Sequence, residues 1–249
     1  MRDLPAGSLS TVPTMLTAEI HPDGIATLRL EQPDRRNALS IAMRDAISDT
    51  LEEWTTDDRV RVVVLTAAGI SFCAGFDLTE FAKPELARTI RDSSRRYHLA
   101  VWQFPKPVIA AVNGAAFGGG FDLCLLCDMR IASPNAVFAH PEIKFGAPPL
   151  FTPLQWIVGA GIARELCLTG RRVDATEAHR IGLVNTIVDA DRLEAEAMAT
   201  ARVMAEAPQA ALEATKRYLV SNAGVTFGEA FEIEHDRVFD RFLLGDLGS

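Results

Sequence analysis

Apolar residues in the first two-thirds of the chain follow two alternating kinds of spacing. Runs of apolar and β-branched residues at positions 60–66, 108–112 and 129–132 lack a polar face, which predicts strands buried on both sides of a parallel sheet. Apolar residues recur at helical spacing over residues 41–54, and a further helix is predicted over residues 85–103. Strands that alternate with helices predict right-handed βαβ units, and therefore an α/β fold.

Downstream of this alternating segment the pattern changes. Three segments, at residues 191–205, 208–221 and 227–243, predict helices, and no strand pattern interrupts them. No low-complexity linker separates the two parts of the chain. We therefore predict one folded unit, in which a core over residues 14–190 is followed by a C-terminal helical region over residues 191–249.

Turn and cap residues locate two boundaries near the N-terminus. Asp23 and Gly24 stand between two short strand-like runs, and an Asp-Gly pair favours a hairpin turn. Ser40 directly precedes the helical pattern at residues 41–54, and a serine hydroxyl is a favourable N-cap. The sequence therefore predicts a hairpin followed by a capped helix.

Composition narrows the class of protein. The chain has 249 residues, of which 48% are hydrophobic and 23% charged, and its formal net charge is -8. This acidic balance argues against nucleic acid or an anionic membrane as a partner. The four cysteines follow no secretory signal, so we expect reduced thiols and a cytoplasmic location. No apolar run approaches the roughly 20 residues that span a bilayer, and residues 1–13 are expected to form a flexible tail.

Two segments carry the strongest motifs in the chain. Residues 71–78 read SFCAGFDL and residues 106–123 read KPVIAAVNGAAFGGGFDL. Together they resemble the two oxyanion-hole motifs of the crotonase superfamily, the enoyl-CoA hydratase/isomerase family. Residues 141–143 (PEI) resemble the segment that carries the family's catalytic glutamate. These motifs, and further segments downstream that resemble the same family, occur in the family's order along nearly the whole chain.

The resemblance implies a fold and an assembly. The fold is a crotonase-like α/β spiral of ββα units, with a C-terminal helical region used in trimerisation. The assembly is a homotrimer or a dimer of trimers. The implied substrate is an acyl-CoA thioester, with coenzyme A as part of the substrate and no separate cofactor or metal.

The resemblance also implies roles at the reacting centre. The backbone N–H groups of Phe76 and Gly119 would form the oxyanion hole, and the carboxyl groups of Glu142 and Asp122 would carry out acid–base catalysis. These roles agree with general chemistry, because free amides at a helix start favour a developing negative charge. A carboxyl group in an apolar pocket has its pKa raised toward working pH. The Phe76 ring is expected to narrow the site or to face an aromatic acyl group.

Further positions are expected to bind the substrate. Arg36 follows Arg35 in an early loop, where a cation suits the nucleotide phosphates. Asp77 is also a candidate for a carboxylate that braces its loop. The expected CoA- and substrate-binding residues are Arg36, Ala38, Ala74, Asp77, Leu78, Gly118 and Leu150.

Several departures from the family pattern keep other functions open. Asp122 stands where a glutamate is usual, and Leu150, Thr152 and Pro153 stand where glycines of a water-holding loop are expected. These changes favour, as alternatives to a hydratase, a 3,2-trans-enoyl-CoA isomerase that uses Glu142 alone, or a non-catalytic acyl-CoA binder. An aryl-CoA dehalogenase is disfavoured, because it needs an aspartate at position 150. RNA binding is disfavoured by the negative net charge.

Three other features are interpreted as structural. Cys124 and Cys127 have metal-like spacing, but no second pair exists and the context is apolar, which favours core packing. His140 precedes Glu142 as in zinc deaminases, but the downstream cysteine pair of that motif is missing. His98 is assigned a surface or packing role.

Overall fold

The computed structural model describes residues 15–221, and ten strands form two sheets within this range. The strands are β1 (Leu16–Ile20), β2 (Ile25–Leu30), β3 (Val62–Ala67), β4 (Ser71–Cys73), β5 (Val108–Val112), β6 (Ala115–Phe117), β7 (Met129–Ala132), β8 (Val137–Ala139), β9 (Val173–Asp174) and β10 (Thr186–Ile187). The larger sheet has the order β1-β2-β3-β5-β7-β10, and the smaller sheet has the order β4-β6-β8-β9. β1 and β2 pair antiparallel, as the Asp-Gly hairpin predicted, and the other neighbours in the larger sheet pair parallel.

Helices connect and cover the sheets. They are α1 (Ile41–Thr55), α2 (Leu78–Phe81), α3 (Ala87–Trp102), α4 (Gly119–Leu126), α5 (Thr152–Val158), α6 (Ala160–Thr169), α7 (Ala175–Arg180), α8 (Leu193–Ala205) and α9 (Gln209–Ser221), with 3-10 turns at Pro33–Arg35, Pro84–Leu86 and Pro141–Phe145. The Ser40 hydroxyl accepts a hydrogen bond from the Met43 N–H, which confirms the predicted cap of α1. The predicted helix over 227–243 and the predicted tail over 1–13 lie outside the described residues.

Successive strand pairs divide between the two sheets. In the pairs β3–β4, β5–β6 and β7–β8, the first strand lies in the larger sheet and the second in the smaller one. A helical segment follows each pair before the chain returns to the larger sheet. This arrangement confirms the α/β spiral of ββα units.

The βαβ units predicted from the hydrophobic pattern are confirmed for β2–α1–β3, where the two strands pair parallel, but the later units contain an additional strand. The pattern missed β4, β6 and β8, which have three residues each. Three residues are too few to show a period of two, so these strands form because their neighbours in the sheet accept their backbone hydrogen bonds.

The larger sheet is buried on both faces at its centre. Along β3, Val63 and Leu65 contribute to one apolar cluster, and Val62 and Val64 contribute to a second one. Helix α8 covers the second face with small alanine side chains, including Ala197. This packing explains the continuous apolar run of β3. Over residues 15–221, no helix is both long enough and apolar enough to cross a bilayer.

Candidate active site

Three parallel strands of the smaller sheet bring the candidate residues to one edge. β4 pairs with β6, and β6 pairs with β8, all in the same direction. The segments with Phe76, Gly119 and Glu142 each follow the carboxyl end of one of these strands. Since parallel strands end at a common edge, residues that are distant in sequence meet there.

The Phe76 N–H is left free by the way its segment pairs with the chain at Leu39. The Leu39 N–H donates to the Gly75 carbonyl over 2.8 Å, and the Asp77 N–H donates to the Leu39 carbonyl over 3.3 Å. In a parallel bridge of this kind, the residue between the two bonded positions points its own N–H to the other side. Accordingly, the Phe76 N–H has no acceptor within residues 15–221.

The Gly119 N–H is free for a different reason, because Gly119 begins helix α4. The first N–H groups of a helix lack an acceptor one turn earlier, and the Gly119 N–H finds no other acceptor in the described chain. Gly118, with φ 51°, turns the chain there and donates its own N–H to the Ala139 carbonyl over 3.0 Å. A Cβ atom built on Gly75 would lie 3.5 Å from the Gly119 nitrogen, so the two motifs are in close contact.

The Phe76 ring closes one side of this site. A Cβ atom built on Gly119 would lie 2.7 Å from the Cε1 atom of the ring. The ring lies 6.1 Å from Phe81 and 6.2 Å from His98 between centroids, and the guanidinium carbon of buried Arg44 lies 4.7 Å from its centre. The ring therefore packs closely over the first turn of α4.

The Asp122 carboxyl group is buried in the first turn of α4. Its Oδ2 atom lies 3.7 Å from His98 Nε2, and its Oδ1 atom lies 3.8 Å from His140 Nε2. Burial raises the pKa of Asp122, and the two neighbouring histidines oppose that effect. Asp122 therefore stays protonated to a higher pH than an ordinary aspartate does.

Glu142 lies on the 3-10 turn that follows β8. Its Oε1 atom is 2.9 Å from His140 Nδ1. Its Oε2 atom is buried, has no hydrogen-bond partner within residues 15–221, and lies 3.3 Å from the position of a Cβ built on Gly118. One carboxylate oxygen is therefore anchored, while the other faces the glycine segment at the start of α4.

The remaining predicted binding residues fall into two groups. Arg36, Ala74 and Leu78 are exposed, and Leu150 is 36% exposed in the segment that leads into α5. Asp77 is buried, and its carboxylate accepts hydrogen bonds from the backbone and hydroxyl of Thr79 and from the Arg35 guanidinium.

These bonds brace the loop and cap α2, so they occupy the Asp77 carboxylate and favour its loop-bracing interpretation. Ala38 is partly buried, and its N–H donates to the Arg35 carbonyl over 3.1 Å. The first turn of α5 contains buried Pro153, which has no N–H to offer.

Sequence reasoning missed the position of two histidines. His98 and His140 flank the Asp122 carboxyl group, and the His140 side chain is completely buried. For His140 the available signal was its place in the sequence, directly after a strand and next to Pro141-Glu142. For His98 the helical pattern of α3 shows only that it lies one position after buried Tyr97.

The chain is similar to known proteins over most of its length. The sequence profile of the enoyl-CoA hydratase/isomerase family matches residues 21–243. The 2,3-dehydroadipyl-CoA hydratase of Escherichia coli K12 is 37% identical over 198 residues, 78% of each chain. The (E)-benzylidenesuccinyl-CoA hydratase of Thauera aromatica is 34% identical over 234 residues, 90% of this chain and 87% of that one. The crystal structure of an enoyl-CoA hydratase from Bacillus anthracis matches with a TM-score of 0.87 at 32% identity, over 90% of each chain. This chain therefore belongs to the enoyl-CoA hydratase/isomerase family.

Proposed function

We propose that this enzyme adds water across the double bond between carbons 2 and 3 of a 2-enoyl-CoA thioester. The observation that carries the proposal is a pair of adjacent N–H groups, on Phe76 and Gly119, that have no acceptor within residues 15–221. Glu142 presents a free carboxylate oxygen beside the same glycine segment. The hydratase activities named for two relatives support the same reaction class.

The reaction begins when the water oxygen forms a bond to carbon 3. The electrons of the double bond then move toward the thioester oxygen and produce an enolate. The N–H groups of Phe76 and Gly119 stabilise this oxyanion, and a donor of this type typically contributes about 2.7–4 kcal/mol. The positive end of the α4 dipole adds to the effect, because Gly119 is the first residue of that helix.

Glu142 carries the proton in this scheme. Its Oε2 atom accepts a proton from the attacking water and delivers a proton to carbon 2, while the thioester carbonyl re-forms. The product is a 3-hydroxyacyl-CoA that contains all atoms of the water. These steps use no cofactor other than the coenzyme A that the substrate carries. Asp122 supplies the second carboxyl group of the site.

The test uses crotonyl-CoA and follows the absorbance of the conjugated thioester. We expect the wild-type enzyme to lower this absorbance and Glu142→Gln to lower the rate by at least about 100-fold with binding retained. Glu53→Gln, at an exposed position on α1, is the matched control. Acyl-CoA binding without turnover of any enoyl-CoA would instead identify a non-catalytic binder.

A second candidate is a 3,2-trans-enoyl-CoA isomerase. Two observations favour it: Asp122 faces two histidines, and the turn into α5 contains Pro153. Glu142 would then remove a proton from carbon 2 and return it to carbon 4, while the double bond moves from carbon 3 to carbon 2. With a 3-enoyl-CoA substrate, the absorbance of the conjugated thioester would rise, and no 3-hydroxyacyl-CoA would form.

The assembly and the substrate contacts follow from the same resemblance. We propose that Arg36 binds the nucleotide phosphates and that the backbone of Ala38 and of residues 76–78 binds the pantetheine amides. We also propose a homotrimer or a dimer of trimers, and exposed apolar side chains such as Phe145 (82%) and Leu168 (74%) are suited to subunit contacts. Light scattering after size-exclusion chromatography would measure the assembly.

A further inference from the structure

His140 lies between the two carboxyl groups of the site. Its side chain is 0% exposed, with Nδ1 2.9 Å from Glu142 Oε1 and Nε2 3.8 Å from Asp122 Oδ1. Three atoms of this group are buried without a hydrogen-bond partner in the described chain, namely Asp122 Oδ1, His140 Nε2 and Glu142 Oε2. Unpaired buried polar atoms are costly, so a cluster of three points to contacts made during the reaction.

The positions of the hydrogens follow from the partners. A glutamate carboxylate only accepts hydrogen bonds, so the short contact requires a hydrogen on His140 Nδ1. In the neutral ring, Nε2 is then an acceptor, and it faces Asp122 Oδ1. A protonated Asp122 offers the matching O–H donor. The separation of 3.8 Å is too long for a hydrogen bond, but such contacts often shorten when substrate binds.

We propose that His140 is a positioning residue that connects Asp122 to Glu142, and that the protonation of Asp122 decides which ring nitrogen of His140 carries the hydrogen. This inference rests on the proposed hydratase function. In this arrangement Asp122 acts on Glu142 through the imidazole and does not contact the attacking water. The Nδ1–H group holds Glu142 Oε1, and Oε2 stays directed toward the glycine segment.

The protonation of Asp122 makes the position of the His140 hydrogen depend on pH. While Asp122 is protonated, its O–H donates to Nε2 and keeps the hydrogen of His140 on Nδ1, bonded to Glu142. An ionised Asp122 can only accept, so it competes with Glu142 for the single hydrogen of the neutral ring, draws it toward Nε2 and weakens the hold on Glu142 Oε1. Because burial raises the pKa of Asp122, the active arrangement persists above the ordinary range of aspartate and is lost as pH rises further.

Other ionisable groups face this cluster. They are His98 and Tyr97 on α3, Cys73 on β4, Cys124 on α4 and Cys167 on α6. Burial raises the pKa of the Cys73 thiol to about 12 and that of the Cys167 thiol to about 11, and it raises the pKa values of Tyr97 and Cys124 as well. These four groups therefore remain neutral near pH 7. The fifth ionisable group that faces the cluster is His98, whose Nδ1 is 2.7 Å from the Ser94 carbonyl.

The kinetic test compares substitutions at Asp122 and His140. Asn at position 122 has an N–H donor that mimics the protonated aspartate, so Asp122→Asn is expected to keep kcat within about tenfold of wild type and to lose the decline in activity that wild type shows as pH rises. His140→Leu is expected to lower kcat by about 100-fold with little change in KM, and His140→Gln, which keeps a donor, to recover part of that loss. His179→Gln is the control, because His179 is an exposed residue of α7 whose ring contacts the Val184 carbonyl.

A spectroscopic test is independent of turnover. In protein labelled with ¹⁵N-histidine, the signal of His140 is assigned by its absence in His140→Gln. We expect the Nδ1–H tautomer in Asp122→Asn, and in wild type while Asp122 is protonated, with a change in wild type as pH rises through the raised pKa of Asp122. The His179→Gln protein should show the same His140 signal as wild type.

The outcomes separate this inference from the proposed function. Absence of hydratase turnover in wild type, or full turnover in Glu142→Gln, contradicts the function, and the tautomer measurement still decides the role of His140. If Asp122→Asn is as inactive as Glu142→Gln, Asp122 contacts the water directly and the inference is wrong. A His140 tautomer that is the same in wild type and in Asp122→Asn across the whole pH range overturns it as well.

Discussion

The ring of Phe76 lies directly against the backbone of Gly119. A Cβ atom on Gly119 would come within 2.7 Å of the ring carbon Cε1 and within 3.4 Å of Leu39 Cδ1. The two residues that supply the proposed oxyanion donors therefore also restrict each other sterically. Any side chain at position 119 must displace the ring, although the N–H group at that position would remain.

We predict that Gly119→Ala destabilises the protein by about 1–3 kcal/mol, because the added methyl group overpacks the site. Phe76→Leu removes the ring, so the double variant should be more stable than the sum of the single effects by at least about 0.5 kcal/mol. Urea unfolding of the four proteins measures this coupling. Purely additive effects would show that the ring moves aside at no cost.

Gly120 and Gly161 should respond in opposite directions to alanine. A Cβ atom on Gly120 would lie 2.3 Å from the Cys73 carbonyl oxygen, which is backbone and cannot rotate away. Gly161 is helical in α6, and nothing lies within 4 Å of a Cβ placed there. We expect Gly120→Ala to cost several kcal/mol or to prevent folding, and Gly161→Ala to add up to about 1 kcal/mol. Thermal unfolding measures both, and equal effects would contradict the close approach of β4 to α4.

Asp122→Asn should stabilise the protein in a pH-dependent manner. Burial raises the pKa of Asp122, so the folded protein holds this proton more tightly than the unfolded chain. The wild-type free energy of unfolding therefore contains a contribution that falls as pH rises from about 3.9, the ordinary value, through the raised pKa. Asparagine lacks this contribution.

The gain in melting temperature of Asp122→Asn should thus be largest at neutral pH and should shrink near pH 4. Differential scanning calorimetry across this range is the measurement. Asp58→Asn, at an exposed position, shows the effect of removing a carboxylate from the surface. A gain that is larger at pH 4 than at pH 7 would contradict the buried, protonated aspartate.

Arg36 and Arg35 should contribute differently to substrate binding. The Arg35 guanidinium is 2.6 Å from the Asp77 carboxylate, whereas Arg36 is exposed at the end of the same turn. We expect Arg36→Ala to raise KM for an enoyl-CoA by about tenfold, because a charged hydrogen bond to phosphate is lost.

KM for the corresponding pantetheine thioester, which has no nucleotide, should not change in the Arg36 variant. Arg35→Ala should instead lower stability by releasing the loop that Asp77 braces. An equal rise of KM for both thioesters in Arg36→Ala would exclude a contact between this residue and the nucleotide phosphates.

Several elements were predictable because the local sequence determines their conformation. The strands Val108–Val112 and Met129–Ala132 have the predicted bounds, since continuous apolar runs suit strands buried on both faces. The helix Ile41–Thr55 begins after its predicted cap, Ser40. By contrast, β4, β6 and β8 were not visible in the pattern, because three residues gain their stability from pairing with distant strands.

The sequence by itself determined the family, through that resemblance the α/β spiral, and the positions of Phe76, Gly119, Asp122 and Glu142 as candidate site residues. Its motifs could do so because glycines, a proline and acidic residues at set intervals are needed locally for tight turns and a helix start. Only the tertiary structure decided that His140 lies between Asp122 and Glu142 and that His98 faces the same aspartate. Those contacts depend on the pairing of β6 with β8 and on the packing of α3 against α4, and the same side chains on an isolated segment would be hydrated and uncoupled.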